Sequence, residues 1–161
     1  MRTVVILLAV LMLGLMAGLF YAYSGSVMPG MRRAADRSAV DVMQRINTAI
    51  QNPLFLLLFM GSPVLTAVAL FQNSEHPRVA GPLLAALLLY VATLAVTFAV
   101  NIPLNNRLDR LGDPAALADP GGQRAAFFTP WTRWNAVRTV TSTGAFLAGA
   151  WALVEHGAHI G

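Results

Sequence analysis

Nine of the eleven arginines fall in two segments of this chain, and there is no lysine. The rest is mostly long uncharged stretches: no charged residue occurs between Arg2 and Arg32 or between Arg78 and Arg107. A helix that crosses the hydrocarbon of a bilayer needs about 20 mainly apolar residues. Backbone polar groups in that medium must be satisfied within the segment itself, which favours helices. The charge distribution therefore predicts an all-α integral membrane protein with one arginine-rich face. Composition agrees, since only 11% of residues are charged, against roughly 25% in soluble domains.

Four spans are expected in one membrane domain, residues 1–161, arranged as a four-helix bundle. They cover about 3–23, 53–71, 82–100 and 130–154. Asn52-Pro53 is the start signal of the second. The fourth is long enough only if it begins at Pro130 with Thr129 as its N-cap. Arg133 and Arg138 would then snorkel near the interface. The first apolar run exceeds the core of a cleaved signal peptide and reads as an uncleaved anchor.

Arg32, Arg33, Arg37 and Arg45 lie in the first loop, and Arg107, Arg110, Arg124, Arg133 and Arg138 in and around the third. The positive-inside rule then puts those loops in the cytoplasm and both termini outside. The same argument turns the net charge of +4 away from nucleic acid and towards a bilayer. The expected location is a bacterial-type inner (plasma) membrane, crossed several times. With no cysteine, thiolate chemistry and disulfides are excluded.

The first loop carries structure of its own. Pro29-Gly30 reads as a turn. Ser38-Ala39-Val40-Asp41 has the form of a capping box, opening a short amphipathic helix near Ser38 to Gln51. Gln44, Asn47 and Gln51 form an amide stripe on that helix. Thr97, Asn101 and Asn105 share a face at four-residue spacing, and an amide does not face lipid cheaply. Trp131, Asn135, Arg138 and Ser142 share a face of the fourth helix, with Trp134 adjacent. Tyr21, Tyr23, Ser24 and Ser26 end span one on the same side. A cation, several amides and indoles at one depth suit a planar, partly anionic aromatic molecule. Interhelical glue and an interfacial aromatic belt are the plainer roles for the same residues.

Gly14, Gly18 and Ala22 allow close helix approach within the bundle, or to a second copy in a homo-oligomer. His76, His156 and His159 fall on the opposite side near Glu75 and Glu155, and no metal site is expected there, because the last turn is prone to fray.

Several of these motifs are similar to one known family. Gly18-Leu19-Phe20-Tyr21-Ala22-Tyr23-Ser24 leads into Val27-Met28-Pro29-Gly30. Met43-Gln44-Arg45-Ile46-Asn47, Asn52-Pro53, Val100-Asn101-Ile102-Pro103-Leu104-Asn105-Asn106 and Trp131 with Trp134-Asn135-Ala136-Val137-Arg138-Thr139 follow in order. Together they resemble the anthrone oxygenase-like family of small membrane proteins. The resemblance implies oxidation of an anthrone-type methylene by dioxygen, with no metal or flavin. Arg138 would stabilise the oxyanion, helped by Asn101, Asn105 and Asn135, while Trp131 and Trp134 stack on the rings and Asn47 lines the pocket. Asp109, Tyr21 and Tyr23 are the candidate bases. The competing reading is a non-catalytic protein that binds a lipid, a quinone or another aromatic molecule.

Overall fold

The computed structural model describes residues 1–159, which are helical apart from short connections and contain no strand. Helix α1 (Arg2–Ala22) runs through a π turn (Tyr23–Val27) into α2 (Met28–Met31). Helix α3 (Asp36–Ala49) precedes α4 (Pro53–Gln72). Helix α5 (Pro77–Val96) passes through a second π turn (Thr97–Asn101) into α6 (Ile102–Asp109). After a 3-10 turn at Pro114–Ala116, α7 covers Pro120–His159.

The long helices neighbour one another in sequence of packing: α1 lies against α4 and α7, and α5 lies against α4 and α7. Helix α3 lies across the arginine-rich end, against α6 and α7. Three stretches, Arg2–Met31, Pro53–Gln72 and Pro77–Asp109, are long and apolar enough to cross a membrane. Their outward faces carry Leu7, Leu11, Leu57, Val64, Leu88 and similar residues, all exposed. In water that surface would be a liability; in lipid it is the proper contact.

Proline explains where the helices depart from expectation. Proline has no N–H and crowds the carbonyl four residues back. Pro29 and Pro103 are each preceded by a π turn. The Met28 N–H reaches back five residues to the Tyr23 carbonyl, and the Ile102 N–H does the same to Thr97. Widening the turn lets the helix continue past the ring, as membrane helices often do. The expected turn at Pro29-Gly30 is thus absent, and the helix of the third span continues past residue 100 to Asp109. Pro63 is handled differently. The carbonyl it would otherwise bond belongs to Phe59, and the Tyr90 hydroxyl donates to that oxygen at 3.0 Å. Pro82 and Pro130 sit inside helices whose preceding carbonyls, at Arg78 and Ala126, belong to exposed residues. Thr129 is consequently no N-cap: α7 starts ten residues earlier than Pro130, at Pro120, and α5 starts at Pro77.

Other starts follow ordinary chemistry. Asn52 caps α4, its Oδ1 accepting from the Phe55 N–H at 2.9 Å. A cap of this kind contributes about 1 kcal/mol. Helix α3 begins at Asp36, two residues ahead of the expected capping box, because the Asp36 carboxylate is held by Arg124. Arg124 also donates to the Met31, Arg32 and Ala34 carbonyls, closing the end of α2. Arg37 donates to the Pro114 and Leu117 carbonyls and fixes the loop before α7. Two of the face's arginines are therefore folding clamps.

Gly14 packs as expected: a Cβ there would meet the Phe146 ring at 3.0 Å. Gly18 does not. It is exposed, and nothing lies within 4 Å of its missing side chain. The helix has rotated that position outward, so only the first glycine of the stripe serves helix packing.

Candidate functional site

A cavity of about 280 Å³ opens in the arginine-rich half between α1, α3, α4, the second π turn with α6, and α7. It is near the lower end of small-molecule cavities, roughly 300–1,000 Å³. Its walls are largely aromatic and aliphatic: Phe20, Tyr23, Phe55, Phe59, Phe98 and Trp131, with Met43 and Ile46 from α3 and Ile50 just past its end. Tyr23 and Trp131 meet at 5.5 Å between ring centres, and Phe55 stacks on Phe59 at 5.3 Å. Flat surfaces of this kind accept a flat ligand. The polar groups are few. Asn47, Gln51, Thr97, Asn101, Asn105, Asn106 and Arg138 reach the lining.

Arg138 is 6% exposed. Its guanidinium stands over Phe20 at 4.6 Å and over Trp131 at 5.1 Å. One nitrogen, Nη2, donates to Asn135 Oδ1 at 2.8 Å, while Nε has no partner. Among the described residues, the ion pairs involve Arg45, Arg124 and His159, so no carboxylate neutralises Arg138. The cation–π contacts supply about 2 kcal/mol each when desolvated. A buried charge with no carboxylate partner and a spare donor is costly and points to a ligand.

Asn135 fixes that arginine. Its Nδ2 donates to the Phe20 carbonyl at 3.1 Å and to Ser24 Oγ at 2.8 Å, so Oδ1 is turned towards Arg138. Thr139 adds a second bond to the Phe20 carbonyl at 3.0 Å. Asn135 is fully buried but does not itself line the cavity. It is a positioning residue.

Asn101 sits on the π turn, fully buried, and its Oδ1 has no partner. Its Nδ2 makes only a long contact, 3.4 Å, with the Trp131 carbonyl. Trp131 in turn donates its indole N–H to Asn105 Oδ1 at 2.8 Å. Beside the cavity there are thus a guanidinium N–H and an amide oxygen without partners, both closed over by packing. A hydroxyl has the chemistry to pair with both, accepting from a guanidinium N–H and donating to an amide oxygen.

The structure brings Asn47, Asn101, Asn105, Tyr23, Trp131 and Arg138 to one cavity. Others named from sequence fall elsewhere. Tyr21 is 66% exposed and Trp134 is 41% exposed, and neither lines the cavity. Trp134 is three residues from Trp131 on α7 and looks outward. Asp109 is exposed outside the lining and accepts from Asn47 Nδ2 at 3.0 Å. Gln44 is also committed, donating to the Leu108 and Gly112 carbonyls. The sequence reading missed Phe55, Leu56, Phe59, Met60 and Phe98. Their spacing on apolar helices gave no sign of which face would turn towards a cavity.

The other end of the molecule holds the histidines. His156 meets Thr3 Oγ1 at 3.0 Å, His76 lies 3.3 Å from Arg2, and His159 lies 2.8 Å from Arg78. Each has a different neighbour, and no group of three possible metal ligands occurs among the described residues.

Asn101, Asn105, Trp131, Asn135 and Arg138 all lie within one family signature. The chain belongs to the anthrone oxygenase family. The family's model, described as anthrone oxygenase, matches residues 55–148, more than half of the chain. No curated protein and no solved structure matches it. Tyr23 and Asn47 lie before the matched segment, and the fold brings them to the same cavity.

Proposed function

We propose that this chain is a membrane-embedded oxygenase that oxidises a planar phenolic or anthrone-type molecule with dioxygen, using neither metal nor flavin. The observation that carries the reading is Arg138, a buried guanidinium without a carboxylate partner, facing an aromatic-walled cavity. In this reading the chain is one membrane domain of four spans. Helix α7 supplies the fourth crossing over about residues 130–154. The membrane is a bacterial inner (plasma) membrane, with termini outside and residues 24–52 and 101–130 inside. Ser38→Cys and Ala118→Cys, both at exposed positions, should then resist membrane-impermeant thiol reagents in intact cells. Ready labelling would invert the topology.

The chemistry balances with the groups present. The substrate methylene between two rings loses a proton, and the charge spreads onto the conjugated oxygen. Arg138 stabilises that oxyanion, with Asn101 as its amide neighbour. The electron-rich anion forms a C–O bond to dioxygen and gives a peroxide. Loss of the second proton from the same carbon breaks the O–O bond. A methylene and dioxygen become a carbonyl and water. Both protons taken from the carbon end on the departing oxygen as that water, so none is released overall. Tyr23 is the one of the three candidate bases on the cavity wall.

A second reading has its own support. No carboxylate or imidazole lines the cavity, which suits a non-catalytic carrier of a lipid, quinone or other aromatic molecule. One assay separates the two. Protein in vesicles is mixed with an anthrone under labelled oxygen, and quinone formation is compared with the spontaneous rate. Acceleration with label in the new carbonyl supports the oxygenase. Saturable binding without acceleration supports the carrier. Neither binding nor acceleration rejects the anthrone site.

A further inference from the structure

The mouth of the cavity has two kinds of edge. Gln51 and Asn106 are polar, exposed residues at its upper end. Leu56, Met60 and Phe98 also belong to the lining, yet they are 49%, 45% and 53% exposed. Leu56 and Met60 are one turn apart on α4, within its first two turns. Phe98, Ile102 and Asn106 follow at four-residue spacing along the π turn and α6. Two ladders of side chains therefore border a slit, polar at the top and apolar below. Helices α4 and α5 are two of the stretches able to cross a membrane. The lower part of the slit thus faces hydrocarbon rather than water.

The packing explains why the slit exists here. Helix α4 lies against α1 and α5 but makes no substantial contact with α7, the helix that carries Arg138. The second π turn displaces the backbone on the other side of the gap. Asn101 and Arg138 occupy the inner end, and the apolar ladder occupies the outer end.

We infer that the cavity is a lateral slot, loaded from the bilayer between α4 and the second π turn. Its occupant is a membrane-dissolved amphiphilic aromatic. The acidic oxygen enters first and meets Arg138 and Asn101, while an apolar edge or alkyl chain stays in the slit among Leu56, Met60 and Phe98. This rests on the cavity being a ligand site, and it adds the route and the shape of the ligand. An enclosed cavity would reject a long substituent, whereas a side slot lets it trail into lipid.

The test uses naphthols with a methyl or an octyl chain on the ring remote from the hydroxyl. Their fluorescence reports transfer from donor vesicles to vesicles holding the protein. The chain has no cysteine, so Met60→Cys, Phe98→Cys and a lipid-facing control, Leu84→Cys, can each carry N-benzylmaleimide. Affinity, referred to the concentration in the bilayer, should differ by less than about threefold between methyl and octyl forms. The label at position 60 or 98 should slow loading by about tenfold, and the label at position 84 should not. Octyl affinity lower by about tenfold or more, with methyl binding intact, would overturn the slot and leave the site standing. Unchanged loading in both labelled variants would also overturn it. If the methyl naphthol fails to bind the unlabelled protein, the ligand site itself falls, and the slot with it.

Discussion

The two π turns of this protein answer the same problem and end differently. Each precedes a proline, Pro29 or Pro103, and each loosens the helix where the ring would clash. At the first, α7 closes the opening. Asn135 and Thr139 donate to the Phe20 carbonyl, and Ser24 Oγ accepts from Asn135 and meets Thr139 at 2.9 Å. At the second, α7 also packs alongside, but the bond it accepts is long: Asn101 Nδ2 reaches the Trp131 carbonyl at 3.4 Å, and Asn101 Oδ1 stays unpartnered beside the cavity. Buried polar groups that are fully bonded stabilise a seam, whereas those left open mark a place for something else. Proline decides where a helix loosens; the facing helix decides whether the gap becomes packing or a site.

Replacing the cation tests the open side most severely. Arg138→Met keeps the bulk and should weaken phenol binding by about tenfold to a hundredfold, since a hydrogen bond to a charged group contributes about 1.5–3 kcal/mol. Arg133→Ala, at an exposed position, should leave binding unchanged. Titration of vesicle-embedded protein with a fluorescent naphthol measures both. Equal effects would remove Arg138 from the site.

The contrast between the two asparagines follows. Asn135→Leu strips partners from Phe20, Ser24 and Arg138, and should cost about 2–3 kcal/mol of stability. Asn101→Leu removes an amide with one weak bond. It should change stability by less than about 1 kcal/mol yet lower phenol affinity by about tenfold. Thermal unfolding in detergent, read beside the binding titration, decides the matter. If Asn101→Leu is the more destabilising of the two, the open and closed seams have been assigned the wrong way round.

Tyr90→Phe should cost about 1–2 kcal/mol, because the Phe59 carbonyl loses the hydroxyl that replaces the proline's missing N–H. The effect should largely vanish in a Pro63→Ala background, where residue 63 can donate to that carbonyl itself. A double-mutant cycle without coupling would disprove the substitution of one donor for the other.

The smallest contrast concerns the glycines of α1. Gly18→Ala meets open space and should raise stability by up to about 1 kcal/mol, the ordinary gain from helix propensity. Gly14→Ala must push the Phe146 ring and should gain less or lose. Unfolding temperatures of the two variants in one detergent give the comparison.

Much was legible from residue type alone. Uncharged runs in a lysine-free chain dictate apolar helices, because only helices satisfy their own backbone in hydrocarbon. Asn52-Pro53 marked the start of α4, and the amphipathic segment between the first two spans appears as α3. The shared face of Trp131, Asn135, Arg138 and Ser142 is buried as helical spacing requires. Local chemistry settles these points. The sequence did not disclose that Pro29, Pro103 and Pro130 lie inside helices, because the compensating groups are a widened turn or an exposed carbonyl. Nor did it disclose that Trp131 turns inward while Trp134 turns outward, that Asn135 is satisfied while Asn101 is not, or that Gly18 faces away. Periodicity places residues on a face of their own helix; only the packing of α4, α5 and α7 fixes which neighbour, or which empty space, that face meets.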